Sequence, residues 1–162
     1  MAILLFRKRL VSMQRPPLTE GVDIRLYAGH ADAIGWLELH ELCFAQIRRW
    51  EMKDFRREFL SKAWWSPQRM WIVESPTGEC VGSVTLRIRT LRNPDRKKPS
   101  VNWLMVHPRW RRRGIARFLM WQLESQPLAE GESEVILETR SDWEAAVRFY
   151  GSVGYEQLTS RG

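Results

Sequence analysis

A chain of 162 residues is about one domain's worth and is long enough to bury a core. Its 44% apolar and 28% charged residues are those of an ordinary globular protein, which excludes collagen-like, low-complexity and disulfide-dense classes. A formal charge of +7 and nine tryptophans stand out, and the charge points to acidic partners: nucleic acid, an anionic membrane or a phosphorylated ligand.

The first residues, MAILLFRKRLVSM, place a short apolar run ahead of the charges, the reverse of a secretory signal. Residues 1–20 therefore read as an N-terminal extension ending at Arg15-Pro16-Pro17, and residues 21–162 as the domain. Val22 to Tyr27 alternates like a strand. From Asp32 to Phe44 the apolar positions Ile34, Leu37, Leu39, Leu42 and Cys43 recur at helical spacing. Lys53 to Trp64 predicts a second amphipathic helix with Phe55, Phe59 and Leu60 inward. Arg69–Glu74 and Cys80–Leu91 are strands joined by the turn Ser75-Pro76-Thr77-Gly78.

The charged segment 92–100 reads as an exposed loop. Val101 to Val106 is a strand stopped by His107-Pro108. A helix follows with Ile115, Leu119, Met120 and Leu123 on one face, broken by Pro127 and Gly131. Val135 to Thr139 is a strand, and Ser141-Asp142-Trp143-Glu144 matches a capping box that would start the last helix at Ser141. Gly154 closes that helix, and Tyr155–Leu158 forms a final short strand. The expected class is α/β, a mixed and mostly antiparallel sheet flanked by about four helices.

Neither cysteine belongs to a disulfide framework, and His30, His40 and His107 are too scattered for a metal site. No apolar run reaches the roughly 18 residues that a membrane helix needs. Reduced thiols and no membrane span lead us to expect a cytoplasmic protein. Neither a G-x-x-x-x-G-K-[ST] loop nor a G-x-S-x-G elbow occurs.

The sharpest signal is HPRWRRRGIARFL, residues 107–119, which crowds arginines at a helix start. Cations are unfavourable beside the positive end of the helix dipole, so a bound anion would relieve the conflict. A strand, a tight basic turn and a helix present several backbone N–H groups in one direction, which suits phosphate. Gly114 lets the backbone approach the guest, and arginine forks can add bidentate contacts. A solvated basic patch is the competing explanation.

Arg111-Arg112-Arg113-Gly114-Ile115-Ala116 resembles the [QR]-x-x-G-x-[GA] signature of the GNAT superfamily of acetyl-CoA-dependent N-acetyltransferases. Upstream, Leu104-Met105-Val106-His107-Pro108 is similar to that family's strand ending in V-x-P. Downstream, the segment from Ala146 to Tyr155 resembles its A-x-x-x-Y-x-x-x-G-[FY] motif. The resemblance covers residues 69–158 well and the earlier part only in element order.

The resemblance implies acetyl-CoA as co-substrate. Backbone groups of Leu104, Met105 and Val106 would receive the pantetheine arm, across a bulge and a splay between strands. Arg111, Arg112, Arg113, Gly114, Ile115, Ala116 and Arg117 would cradle the pyrophosphate. Tyr150 falls where the family commonly has a general acid, and Glu138 where alanine N-acetyltransferases have a base. Trp143 stands in place of a frequent asparagine. The family's last strand has no counterpart after Tyr155–Leu158, so the N-terminal extension or a second copy in a homodimer could complete the sheet. Between the early helices, Arg48 and Arg49 could bind an acidic acceptor and Trp50 could wall its pocket.

The implied activity is transfer of an acetyl group from acetyl-CoA to a primary amine by direct attack in a ternary complex. A basic nucleic-acid-binding module, which the motifs disfavour, and a non-catalytic acyl-CoA-binding domain are the two rivals.

Overall fold

The computed structural model of the chain describes residues 1–91 and 96–158. Seven strands form one sheet in the order β2-β3-β4-β5-β6-β1-β7. They are β1 (Ile3–Arg9), β2 (Asp23–Leu26), β3 (Met70–Glu74), β4 (Cys80–Thr90), β5 (Lys97–Val106), β6 (Glu134–Arg140) and β7 (Glu156–Gln157). Every neighbouring pair is antiparallel except β5 and β6. The helices are α1 (His30–Cys43), α2 (Met52–Phe55), α3 (Ile115–Ala129) and α4 (Glu144–Ser152). The expected α/β class is borne out.

Alternation along β3 divides the core between the two faces. Met70 and Ile72 join Trp36, Leu39, Phe55, Phe59 and Met105 under α1 and α2. Trp71 and Val73 join Val84, Leu86, Ile115, Leu119, Leu123, Val135 and Leu137 under α3. Each such side chain contributes roughly 1.5–3 kcal/mol when fully buried.

The strand lacking at the C-terminal end comes from the opposite terminus. β1 lies between β6 and β7, paired from Ile3 with Arg140 to Arg9 with Glu134, and at Phe6 and Arg7 with Gln157 and Glu156. Phe6 is buried in the core. The residues read as an extension thus carry an internal strand, and this chain completes its own sheet. The run Ile3–Phe6 reads as part of an extension because it is short and followed at once by Arg7-Lys8-Arg9; β6 and β7 supply its hydrogen bonds.

Four local expectations are corrected. Residues 97–100 belong to β5, where Lys98 pairs with Glu134 and Ser100 is buried; positions 92–95 of the expected loop lie outside the described residues. The second helix is shorter than 53–64. Four α-helical residues pass into a wider π turn, Arg56–Leu60, closed by Ser61 N–H on Arg56 O at 2.9 Å. Pro127 does not break α3, which runs to Ala129. In the last turn a proline forfeits one backbone bond, and its buried ring compensates.

Ser141 does not cap α4. β6 persists to Arg140, Trp143 occupies the cap position, and Ser141 Oγ instead accepts the Ala2 N–H at 2.9 Å while its own N–H reaches Ala2 O at 2.8 Å. The expected effect of Ser141→Ala is therefore a loosened β1. One exposed bond contributes about 0.5–1 kcal/mol, which lowers Tm by about 1–4 °C for a chain of this size. Thermal unfolding by circular dichroism checks it, with helix content unchanged; a loss of helix would restore the capping role.

Candidate active site

Two features of β5 open a gap in the middle of the sheet. Opposite β4, Ser83 pairs with Met105 but Thr85 pairs with Asn102, so β5 carries one extra residue there. Trp103 takes up that bulge with a left-handed φ of 49°, a strained conformation for a large side chain. On its other edge β5 pairs with β6 only at Ser100 and Val101. Leu104, Met105 and Val106 thus lie beyond the last β5–β6 pairing, at the splay that a thioester arm would need. Val106 O accepts from Arg111 Nε at 3.1 Å and Cys43 Sγ at 3.4 Å, which ties the strand's end to the arginine turn and to α1.

Beyond this end the chain turns sharply. His107 Nδ1 accepts the Arg109 N–H at 3.1 Å and caps the short 3-10 turn Pro108–Trp110. Arg112 at φ 62° and Gly114 at φ 82° then fold the backbone into a concave nest. The first intrahelical bond of α3 is Phe118 N–H to Gly114 O at 3.0 Å. The N–H groups of Ile115, Ala116 and Arg117 therefore have no acceptor within the helix. Close packing positions this helix start: a Cβ on Gly82 of β4 would stand 3.0 Å from Ile115 Cγ2.

A cavity of about 270 Å³ opens here, lined by Val106, Trp110, Arg111, Arg112, Gly114, Ile115, Ala116, Arg117 and Phe149. Of the four arginines expected to cradle the pyrophosphate, Arg113 alone is not in the lining; its guanidinium lies over Trp110 at 4.7 Å, and its carbonyl accepts from Thr19 Oγ1. Free helix-start donors, a left-handed glycine and three cations suit a pyrophosphate, so the residues fit the group that the resemblance implies.

The two proposed proton-transfer residues lie apart from this cavity's lining. Tyr150 is packed against the core, with its ring 5.7 Å from Phe149 and 6.0 Å from Tyr155. Burial pushes its hydroxyl well above the usual phenol range. Glu138 is exposed on β6 and pairs with Arg89 at 2.8 Å. Arg140, two residues further along β6, binds Asp142 at 2.8 Å.

Between α1 and α2, Arg48 holds Asp54 at 2.9 Å and Arg49 reaches Glu41 at 3.4 Å, so both serve ion pairs of the fold. The Arg48, Arg57 and Glu51 N–H contacts keep the Asp54 carboxyl well below its usual range.

Trp50 belongs to a larger aromatic group that sequence periodicity did not assemble. Trp103, at the bulge, meets His40 at 4.8 Å, Trp50 at 4.9 Å and Phe44 at 5.2 Å. Phe44 in turn meets Trp143 at 5.3 Å. The tryptophan count was the one signal of it. Among the described residues no three His, Cys, Asp or Glu side chains form a metal-binding group, and no helix is long and apolar enough to cross a membrane.

The chain matches known proteins over this region. The model of the acetyltransferase (GNAT) family matches residues 34–155. An acetyltransferase of Pectobacterium atrosepticum is 34% identical over 89 residues, covering 55% of this chain and 59% of that protein. The mycothiol acetyltransferase of Thermobispora bispora is 27% identical over 148 residues, 89% of this chain and 50% of that one. The chain thus spans between half and three fifths of the length of these curated relatives.

Among solved structures, a GCN5-related N-acetyltransferase from Sphaerobacter thermophilus superposes with a TM-score of 0.76 at 20% identity, over 96% of this chain and 48% of its own. An aminoglycoside 6'-N-acetyltransferase from Acinetobacter baumannii gives 0.67 at 19%, over 88% and 95%. At these identities the structural likeness establishes the fold.

Proposed function

The chain belongs to the GNAT family of acetyltransferases, and from that premise we propose that it moves an acetyl group from acetyl-CoA directly to a primary amine within one ternary complex. The observation that carries this reading is the meeting of two features: the gap beside Leu104–Val106 and the open first turn of α3. One offers backbone to an extended arm, the other donors to a diphosphate.

In this reading Arg111, Arg112 and the N–H groups from Gly114 to Arg117 hold the pyrophosphate of acetyl-CoA. Arg113 contributes through its backbone and by stiffening the turn on Trp110. The backbone of Leu104, Met105 and Val106 aligns the thioester, and an N–H of Met105 or Val106 meets the charge that develops on the carbonyl oxygen. The amine nitrogen forms the new C–N bond as the C–S bond breaks.

Tyr150 donates a proton, or a hydrogen bond, to the departing sulfur. Glu138 takes up the ammonium proton through water. The free thiols Cys43 and Cys80 support a reducing, cytoplasmic setting.

Titration calorimetry with acetyl-CoA and, separately, with duplex DNA tests this reading. Saturable acetyl-CoA binding and amine-dependent thiol release are expected; tight, steeply salt-dependent DNA binding without CoA binding would replace it with the nucleic-acid module. Gly114→Ala sharpens the test. A side chain at φ 82° is strained by about 1–2 kcal/mol, and relieving the strain turns the donors away. Acetyl-CoA affinity should fall by about 5–30-fold. An unchanged Kd would remove the nest from the binding site.

A further inference from the structure

Resting on that reading, the geometry points to the acceptor's class: a monoamine carried on an aromatic or apolar body, held by Phe44, Trp50, Trp103 and Trp143, and not a polycation. The argument starts from where these rings lie. Trp103 is the bulge residue itself, next to Leu104, where β5 leaves β6. Phe44 and Trp50 follow α1, and Trp143 precedes α4. All four are half-buried, and the 5.3 Å contact between Phe44 and Trp143 links the segment after α1 to the start of α4. Cys43 Sγ on Val106 O places this end of α1 against the end of β5 that the thioester would reach.

Behind the four rings are Trp36 and His40, one turn apart on α1 and stacked at 5.1 Å. Both are at most 1% exposed, yet Trp36 Nε1 and His40 Nε2 have no hydrogen-bond partner among the described residues. Unpaired buried polar atoms are unfavourable, so this wall is held in place by the packing of the rings in front of it. Burial lowers the His40 imidazole to about 4, so it adds no positive charge to the wall.

Charge decides between amine classes. Aromatic faces attract one ammonium and bury a flat body well. A polyamine or aminoglycoside also needs carboxylates for its other ammonium groups. Here Asp54, Glu41, Asp142 and Glu138 are each paired with an arginine and Glu51 with Lys53, which leaves Glu144 as the one carboxylate beside the rings without an ion pair among the described residues. Arg140 already lies over Trp143 at 5.1 Å. The net charge of +7 repels polycations at longer range.

The experiment compares 2-phenylethylamine with spermidine and kanamycin in two assays on the full chain. One measures amine-dependent release of CoA thiol from acetyl-CoA. The other measures calorimetric binding of each amine to protein saturated with CoA, which needs no turnover. We expect kcat/KM and affinity for phenylethylamine at least tenfold above those for either polycation. Phe44→Ala and Trp50→Ala should raise its KM about tenfold with kcat nearly kept, while the acetyl-CoA Kd is unchanged.

Polycations preferred in either assay, or phenylethylamine neither bound nor turned over, would overturn the inference. Phenylethylamine bound selectively but never acetylated would uphold the acceptor class and overturn the transferase reading alone.

Discussion

Replacing Tyr150 by phenylalanine is expected to lower amine-dependent thiol release by about 10²–10⁴-fold, the usual contribution of a positioned acid, while the acetyl-CoA Kd stays within about twofold. The side chain is well placed to be rigid. Tyr150 O accepts from Tyr155 N–H at 3.0 Å and Val153 N–H at 3.2 Å, and its ring packs between Phe149 and Tyr155. Phenylalanine keeps those ring contacts and removes only the hydroxyl, so stability should barely move. Because burial raises the hydroxyl's pKa, the proton stays on Tyr150 throughout the neutral and mildly alkaline range. The alkaline limb of the wild-type pH–rate profile should therefore show no loss from its ionisation below about pH 10. Steady-state kinetics of both proteins checks this; equal turnover would assign the acid to another group.

The second large effect concerns how β1 is held in place. Lys8 of β1 contacts Glu124 of α3 at 2.6 Å, and their side chains are only 10% and 11% exposed. Breaking a buried pair by removing one partner typically destabilises by about 3–5 kcal/mol. A cavity of about 510 Å³ borders the pair. Water reaching it softens the penalty, so we expect about 3 kcal/mol for Lys8→Met, or a Tm lower by about 6–12 °C.

Burial raises the Glu124 carboxyl even with Lys8 present. A carboxyl raised in the folded state keeps its full stability contribution below the unfolded value near 4.3 and loses it as pH rises through the folded value. The deficit of Lys8→Met should accordingly be smaller at pH 5 than at pH 8. The double variant Lys8→Met, Glu124→Leu should recover most of the loss, since an apolar pair of similar volume is often neutral or better. Denaturant unfolding at the two pH values measures all three. A deficit independent of pH would show that Lys8 acts by packing.

Local patterns were legible wherever their signal was local. The alternation of Cys80–Thr90, the apolar face of α3 and the Gly154 stop after α4 survive in the structure, whereas α1 forms but turns Ala33, Trp36, Leu39 and His40 inward and leaves Ile34 and Leu42 of the expected apolar set exposed. The arginine turn was legible for the same reason, since an anion-binding helix start is built from a few consecutive residues. Ser141 misled because a capping box and a strand-end contact use the same hydroxyl, and the choice depends on Ala2, 139 positions away.

The residues alone determined the α/β class, the strand-turn-helix around Gly114 and the cationic character of that turn, because backbone propensity and dipole chemistry act over a few positions. Tertiary structure decided where β1 lies, which arginines face the cavity, that Glu138 meets Arg89, and that Trp103 gathers His40, Phe44 and Trp50 around the bulge. Those outcomes follow from long-range pairing and close packing, in which groups far apart in the chain compete for the same space and the same hydrogen bonds.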